Sequence, residues 1–162
     1  MADTYQFWIH GVNVFAKETP HLTGIQNELH MKPYFDGTKV RQAPGENWFF
    51  LPIPTPTHLD DWKSWNKHAY LRVKIGSQVE INKVQIFSNT ATTDKEEIYV
   101  KDYQPNELRS RDEQLDFNID DRKRALGPLV MCVRVRFDNG SDEDRTILFK
   151  GAGATFIEAR SP

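Results

Sequence analysis

Between positions 58 and 68 the chain gathers His58, Asp60, Asp61, Trp62, Trp65, Asn66 and His68, its densest mixture of aromatic and polar side chains. Flat aromatic faces suit the apolar face of a sugar ring, and carboxylates and amides pair its hydroxyls, so this segment holds the groups a glycan site needs. The structural alternative is that Trp62 and Trp65 are buried as a plug at one end of the domain, the usual fate of large apolar side chains. His58 and His68 stand ten apart, which matches no zinc motif, so no metal ligand is assigned.

Other constellations read as structure. Asp138, Asp142, Glu143 and Asp144 suggest a calcium loop, but the regular alternation of oxygen ligands is missing and Phe149 stands where the twelfth-position glutamate belongs. A solvated hairpin tip beside apolar strands is the better reading. Arg122, Lys123 and Arg124 follow Asp120 and Asp121, which offset them, as in a surface loop. Cys132 lies among Val130 and Val133 and reads as a packing residue rather than a nucleophile. His10, His21 and His30 could still converge with Asp or Glu in space, which the sequence does not show, and there is no G-x-S-x-G, H-E-x-x-H or P-loop. No catalytic residue, metal or cofactor is assigned, and the reading leans away from an enzyme.

The elements that must carry these residues are strands. Leu129, Met131, Val133, Val135 and Phe137 point one way and Arg134 and Arg136 the other; Leu115, Phe117 and Ile119 alternate with Gln114, Asp116, Asn118 and Asp120. Strands are expected over 5–10, 12–15, 38–42, 48–51, 69–75, 79–87, 97–103, 114–119, 129–137 and 146–149, with a last one near 154–157. Gly76-Ser77 and Asp138-Asn139-Gly140 are expected to close tight hairpins. Gly151-Ala152-Gly153-Ala154 is read as a bulge or a close approach of sheets, since no helix follows it to make a dinucleotide loop. Pro52, Pro54 and Pro56 argue against a central strand there and favour an extended crossing. One short helix is expected after Thr57 as cap, from the spacing of Trp62, Trp65 and Ala69.

These expectations add up to an all-β fold, an antiparallel β-sandwich of jelly-roll type with roughly eight to ten strands and at most one short helix. At 162 residues, 38% hydrophobic and 12% aromatic, the chain makes one domain over 1–162. Lys and Arg number 21 against 23 Asp and Glu, a net charge of -2, so no global positive field draws in nucleic acid or anionic lipid. One cysteine excludes a stapled fold and is compatible with a reducing compartment. The N-terminal run has an acidic residue where a signal peptide wants basic ones, and no stretch approaches a membrane span, so the reading is cytoplasmic.

The order of Ile9-His10-Gly11 before an extended strand, the 84–87 and 98–103 pair, Ala125-Leu126-Gly127 opening 129–137, and the closing run from Phe149 to Phe156 resembles an uncharacterised bacterial family of small single-domain β-sandwich proteins. That resemblance implies the fold and supplies no activity or site residues. The leading functional expectation is a binding module whose loops at one sandwich end present aromatic and acidic groups to a glycan or a protein partner. The alternatives are a small enzyme with a His/Asp loop site and a structural subunit that self-associates as a homo-oligomer.

Overall fold

The computed structural model describes residues 4–11, 14–17, 29–55, 62–89, 95–119 and 128–160. Eleven strands run through them: β1 (Thr4–His10), β2 (Phe15–Ala16), β3 (His30–Tyr34), β4 (Gly37–Arg41), β5 (Gly45–Ile53), β6 (Trp62–Ile75), β7 (Val79–Asn89), β8 (Lys95–Asp102), β9 (Asp112–Asn118), β10 (Leu129–Phe137) and β11 (Thr146–Arg160). Every pairing is antiparallel. One sheet has six strands in the order β3-β4-β11-β6-β9, with β1 also on β11; the other has five in the order β2-β5-β10-β7-β8. The fold is the expected all-β sandwich, with no α-helix among the described residues.

Alternation builds the core. In β10 the odd positions Leu129, Met131, Val133, Val135 and Phe137 are buried, and they meet Ala69, Leu71, Val73 and Phe149 from the other sheet in one hydrophobic cluster. Two aromatic contacts cross the sandwich: Phe49 to Phe149, with centroids 5.3 Å apart, and Tyr99 to Phe117, also at 5.3 Å. Burial of such rings supplies much of the stabilisation of a two-sheet fold.

The expected helix is a strand. Trp62, Trp65 and Ala69 all lie in β6, paired along its length with β11. They stand opposite Arg160, Ile157 and Ala154; Asn66 pairs with Phe156 and His68 with Thr155, which leaves Lys67 as an extra residue in the ladder. A bulge of that kind breaks the period-two pattern without ending the strand. The strand β3 was not expected, because Lys32 and Pro33 interrupt any apolar alternation; it forms at the sheet edge, on β4 alone.

The two expected hairpins are not hairpins. Gly76-Ser77 joins β6 to β7, and Asp138-Asn139-Gly140 leads from β10 toward β11; each connection passes from one sheet to the other. Positive φ among glycines occurs at Gly37 and Gly45 instead. Gly76 is needed for space: a Cβ there would stand 2.4 Å from the Asp144 carbonyl oxygen. Gly151 to Ala154 lie inside one continuous β11, with the expected bulge between Phe149 and Gly151; the close approach is that of β1 within the same sheet rather than of one sheet to the other. Pro52 sits within β5, beyond the reach of β2, which covers only Phe49 and Phe50. The Trp48 carbonyl accepts from the Lys17 amide on that side. Pro52, four residues on, turns its missing N–H toward the same open edge, where no strand needs it.

Candidate functional site

The outer face of the six-stranded sheet carries a row that crosses four strands in register: Trp8 on β1, Gly153 on β11, Tyr70 on β6 and Asp116 on β9. Gly153 leaves a gap between its neighbours, and the Trp8 ring leans into it. A Cβ at that position would stand 2.8 Å from Trp8 Cδ2, so the indole lies directly above the glycine. Trp8 and Tyr70 stack with centroids 5.5 Å apart and planes 19° apart, and His68 continues the row at 6.3 Å from Tyr70 and 21°. Arg72 places its guanidinium carbon 6.0 Å from the Trp8 ring centre, within cation–π range. The Tyr70 hydroxyl is hydrogen-bonded to Thr155 Oγ1 at 2.7 Å, which fixes the ring's tilt. Trp8 nevertheless keeps 39% of its surface in solvent.

Polar side chains surround this stack. Gln6 and His10 flank Trp8 on β1, while Gln114, Asp116 and Asn118 line β9. Gln114 donates to Asp116 at 2.8 Å. Gln6, Arg72 and Asn118 make no side-chain hydrogen bond among the described residues. Three rings in fixed orientation with amides, a guanidinium and a carboxylate around them suit a flat, hydroxyl-rich molecule.

The outer face of the five-stranded sheet differs in kind. Phe15, Phe50, Cys132, Gln85 and Val100 form one row across it, and Pro52, Val130, Phe87 and Glu97 the next. Its polar groups are spent on one another: Gln85 donates to Glu97 at 2.6 Å, Arg134 Nε to Asn82 at 2.7 Å, and Lys83 pairs with Asp102 at 3.2 Å. Phe15 is 59% exposed at the edge of this apolar band.

Two charged clusters elsewhere are closed on themselves. Glu80, only 2% exposed, is held by Arg109 at 3.2 Å and Arg136 at 3.1 Å, and Asp138 pairs with both arginines. The hydrogen bond from Arg109, then the charge of Arg136, keep the Asp138 carboxyl below the usual aspartate range against the opposing effect of burial. Asp142 is bonded by Arg41 and Arg145, and Asp144 accepts from Ser141 and Ser77, each at 2.6 Å. Asp138, Asp142 and Asp144 are therefore tied into the fold rather than grouped as a loop of ligands, and among the described residues no three His, Cys, Asp or Glu side chains converge on a metal position.

Of the residues expected to form the site, His68 lies in the aromatic row beside Tyr70. Trp62, Trp65 and Asn66 belong to β6, opposite Arg160, Ile157 and Phe156. His58, Asp60 and Asp61 lie outside the described residues, as do His21 and the 122–124 basic run. His10 and His30 occupy different strand pairs: His10 Nε2 is 2.7 Å from the Phe35 carbonyl oxygen, and His30 stands opposite Arg41. Sequence reasoning passed over Trp8 and Tyr70. The signal for them was present in Gly151 and Gly153, two glycines on one face of a strand, which leave a stripe that a large ring from a neighbouring strand must cover.

Cys132 is 5% exposed in mid-strand, as a packing residue should be. A scan against protein-family models finds no matching family, and a search of curated proteins finds no relative. Among solved structures the chain is similar to the xylan-binding module CBM15, at 16% identity over 99% of this chain and 100% of that one, with a TM-score of 0.51. It is also similar to CBM29_1, a family 29 carbohydrate-binding module from Piromyces equi, at 11% identity over 93% and 90% of the two chains, with a TM-score of 0.41. The first likeness establishes a shared β-sandwich fold along the whole chain.

Proposed function

We propose that this protein is a carbohydrate-binding module, and that its glycan lies on the outer face of the six-stranded sheet across Trp8, Tyr70 and His68. The observation that carries this reading is the aromatic row ringed by polar side chains, of which Gln6, Arg72 and Asn118 make no side-chain hydrogen bond among the described residues. Gly153 and Thr155 hold the rings in place before any ligand arrives, so binding forfeits little side-chain entropy. The exposed part of the indole takes the apolar face of a sugar ring, and Gln6, Arg72 and Asn118 pair its hydroxyls. Support also comes from the fold shared with a module that binds xylan. In this reading the ligand is met by a sheet face rather than by loops at one end. The segment 58–66 leads in sequence into β6, and His58, Asp60, Asp61, Trp62, Trp65 and Asn66 are proposed as contacts for a longer glycan.

Affinity electrophoresis through gels holding single soluble polysaccharides tests the reading. Retardation by at least one polysaccharide is expected, with Trp8→Ala weakening it by about tenfold or more, as loss of an aromatic anchor does. A panel of plant and microbial polysaccharides that leaves migration unchanged would contradict it.

A second reading rests on the apolar band of the five-stranded sheet, where Phe15, Phe50 and Pro52 face outward. Such a surface suits a protein partner, including a second copy of this chain. Sedimentation of wild type and of a Phe15→Asp variant distinguishes self-association from a monomer.

A further inference from the structure

The same sheet face that carries Trp8 ends, at its β3–β4 side, in a groove of about 580 Å³. Its floor sets like charges against each other. Lys32 on β3 stands directly opposite Lys39 on β4. The row continues through Leu148 to Lys74, so three lysines lie along one line of five residues that ends at Asp112. Opposed like charges on a sheet destabilise it, and neither Lys32 nor Lys39 has a carboxylate within ion-pair distance among the described residues. Arg41, by contrast, is already engaged by Asp142, which Arg145 also holds at 2.9 Å. Tyr34 supplies an aromatic wall beside Lys32, whose ammonium is 5.4 Å from its ring centre.

We propose that this groove binds a uronate unit of the glycan, with the sugar carboxylate between Lys32 and Lys39. The inference rests on the glycan-binding reading above and names the class of glycan. One further lining residue decides between an acidic sugar and a simple polyanion. Glu143 lines the groove from the β10–β11 connection and pairs with no described cation. Its carboxylate repels a densely charged polymer but accepts hydrogen bonds from sugar hydroxyls. Along β11, the seven residue steps from Thr146 to Gly153 separate the groove from the aromatic row by roughly 20 Å. A ligand that touches both is therefore an oligosaccharide.

The test compares polygalacturonate and glucuronoxylan with unsubstituted xylan and dextran sulfate, for wild type, Lys39→Glu and Trp8→Ala, by isothermal titration. Wild type is expected to bind at least one of the two uronate polymers about tenfold or more tighter than neutral xylan. Lys39→Glu should erase that preference while melting at or above the wild-type temperature, because Lys32 then faces an opposite charge. A merely structural lysine pair would raise the melting temperature without touching selectivity. Neutral xylan bound as tightly as either uronate polymer would overturn the groove and leave the glycan reading standing. Dextran sulfate bound as tightly as polygalacturonate would reduce the site to general charge attraction and overturn it as well. Failure of every polysaccharide to bind would remove both readings.

Discussion

Replacing Gly153 by alanine should damage the fold and the candidate site together. The new Cβ would meet the Phe7 carbonyl oxygen at 2.5 Å and the Trp8 ring at 2.8 and 3.0 Å. The indole can swing aside, but the carbonyl belongs to the β1–β11 ladder and moves only if the strands part. Overpacking of this kind costs about 1–3 kcal/mol, and breaking the Trp8–Tyr70 stack adds about 0.5–1.5 kcal/mol. Alanine also stiffens the unfolded chain, a gain of about 0.4–1 kcal/mol that is the smaller effect. The net loss of roughly 0.5–4 kcal/mol should lower Tm by about 1–16 °C for a domain of this size. Thermal unfolding followed by far-UV circular dichroism reads the first quantity, and near-UV circular dichroism reads loss of the ring pair. In a Trp8→Ala background the same glycine substitution should cost less, because only the Phe7 contact remains. A Gly153→Ala protein that melts at or above the wild-type temperature with its near-UV spectrum intact would refute the placement of Trp8 over the glycine.

Three further outcomes follow from the same structure. Val133 has no exposed surface, so Val133→Asp buries an unpaired charge at several kcal/mol and should leave little soluble, cooperatively melting protein. Cys132 should react slowly with a thiol reagent in the native state and rapidly in denaturant; fast stoichiometric labelling of native protein would show that the outer face of β10 opens readily. Asp138 has a folded pKa below its unfolded value of about 3.9, so its contribution is complete above that pH and is lost as pH falls through the folded value. Asp138→Asn should therefore flatten the acid limb of a stability-versus-pH curve, and an unchanged limb would remove Asp138 from the account.

What the sequence disclosed was governed by parity. Strand β10 was legible to the residue because its odd positions are all apolar and its arginines even. β6 was misread at its N-terminal end because Trp62, Trp65 and Ala69 fall at helical spacing while one bulged residue, Lys67, breaks the alternation that would mark a strand. β3 was illegible because an edge strand with Lys32 and Pro33 has no buried stripe to show. The aromatic row was hidden for a different reason. In β1, Phe7 and Ile9 face inward and Trp8 outward, so hydrophobicity alone does not say which side meets solvent. Only the cross-strand register, which sets Trp8 and Tyr70 on either side of Gly153, turns three separate residues into a surface.

The claim that a glycan is held by the six-stranded sheet is tested most directly by the indole N–H resonances of the protein titrated with a polysaccharide that binds it. Trp8 stands on that face, while Trp48 stands on the outer face of the opposite sheet, where Arg134 lies 5.8 Å from its ring centre. The account predicts that the Trp8 indole signal shifts and saturates with ligand, together with the amides of Gln6, Tyr70 and Arg72, while Trp48 stays fixed. A saturating shift of Trp48 with Trp8 unmoved would place the ligand on the other sheet and contradict it.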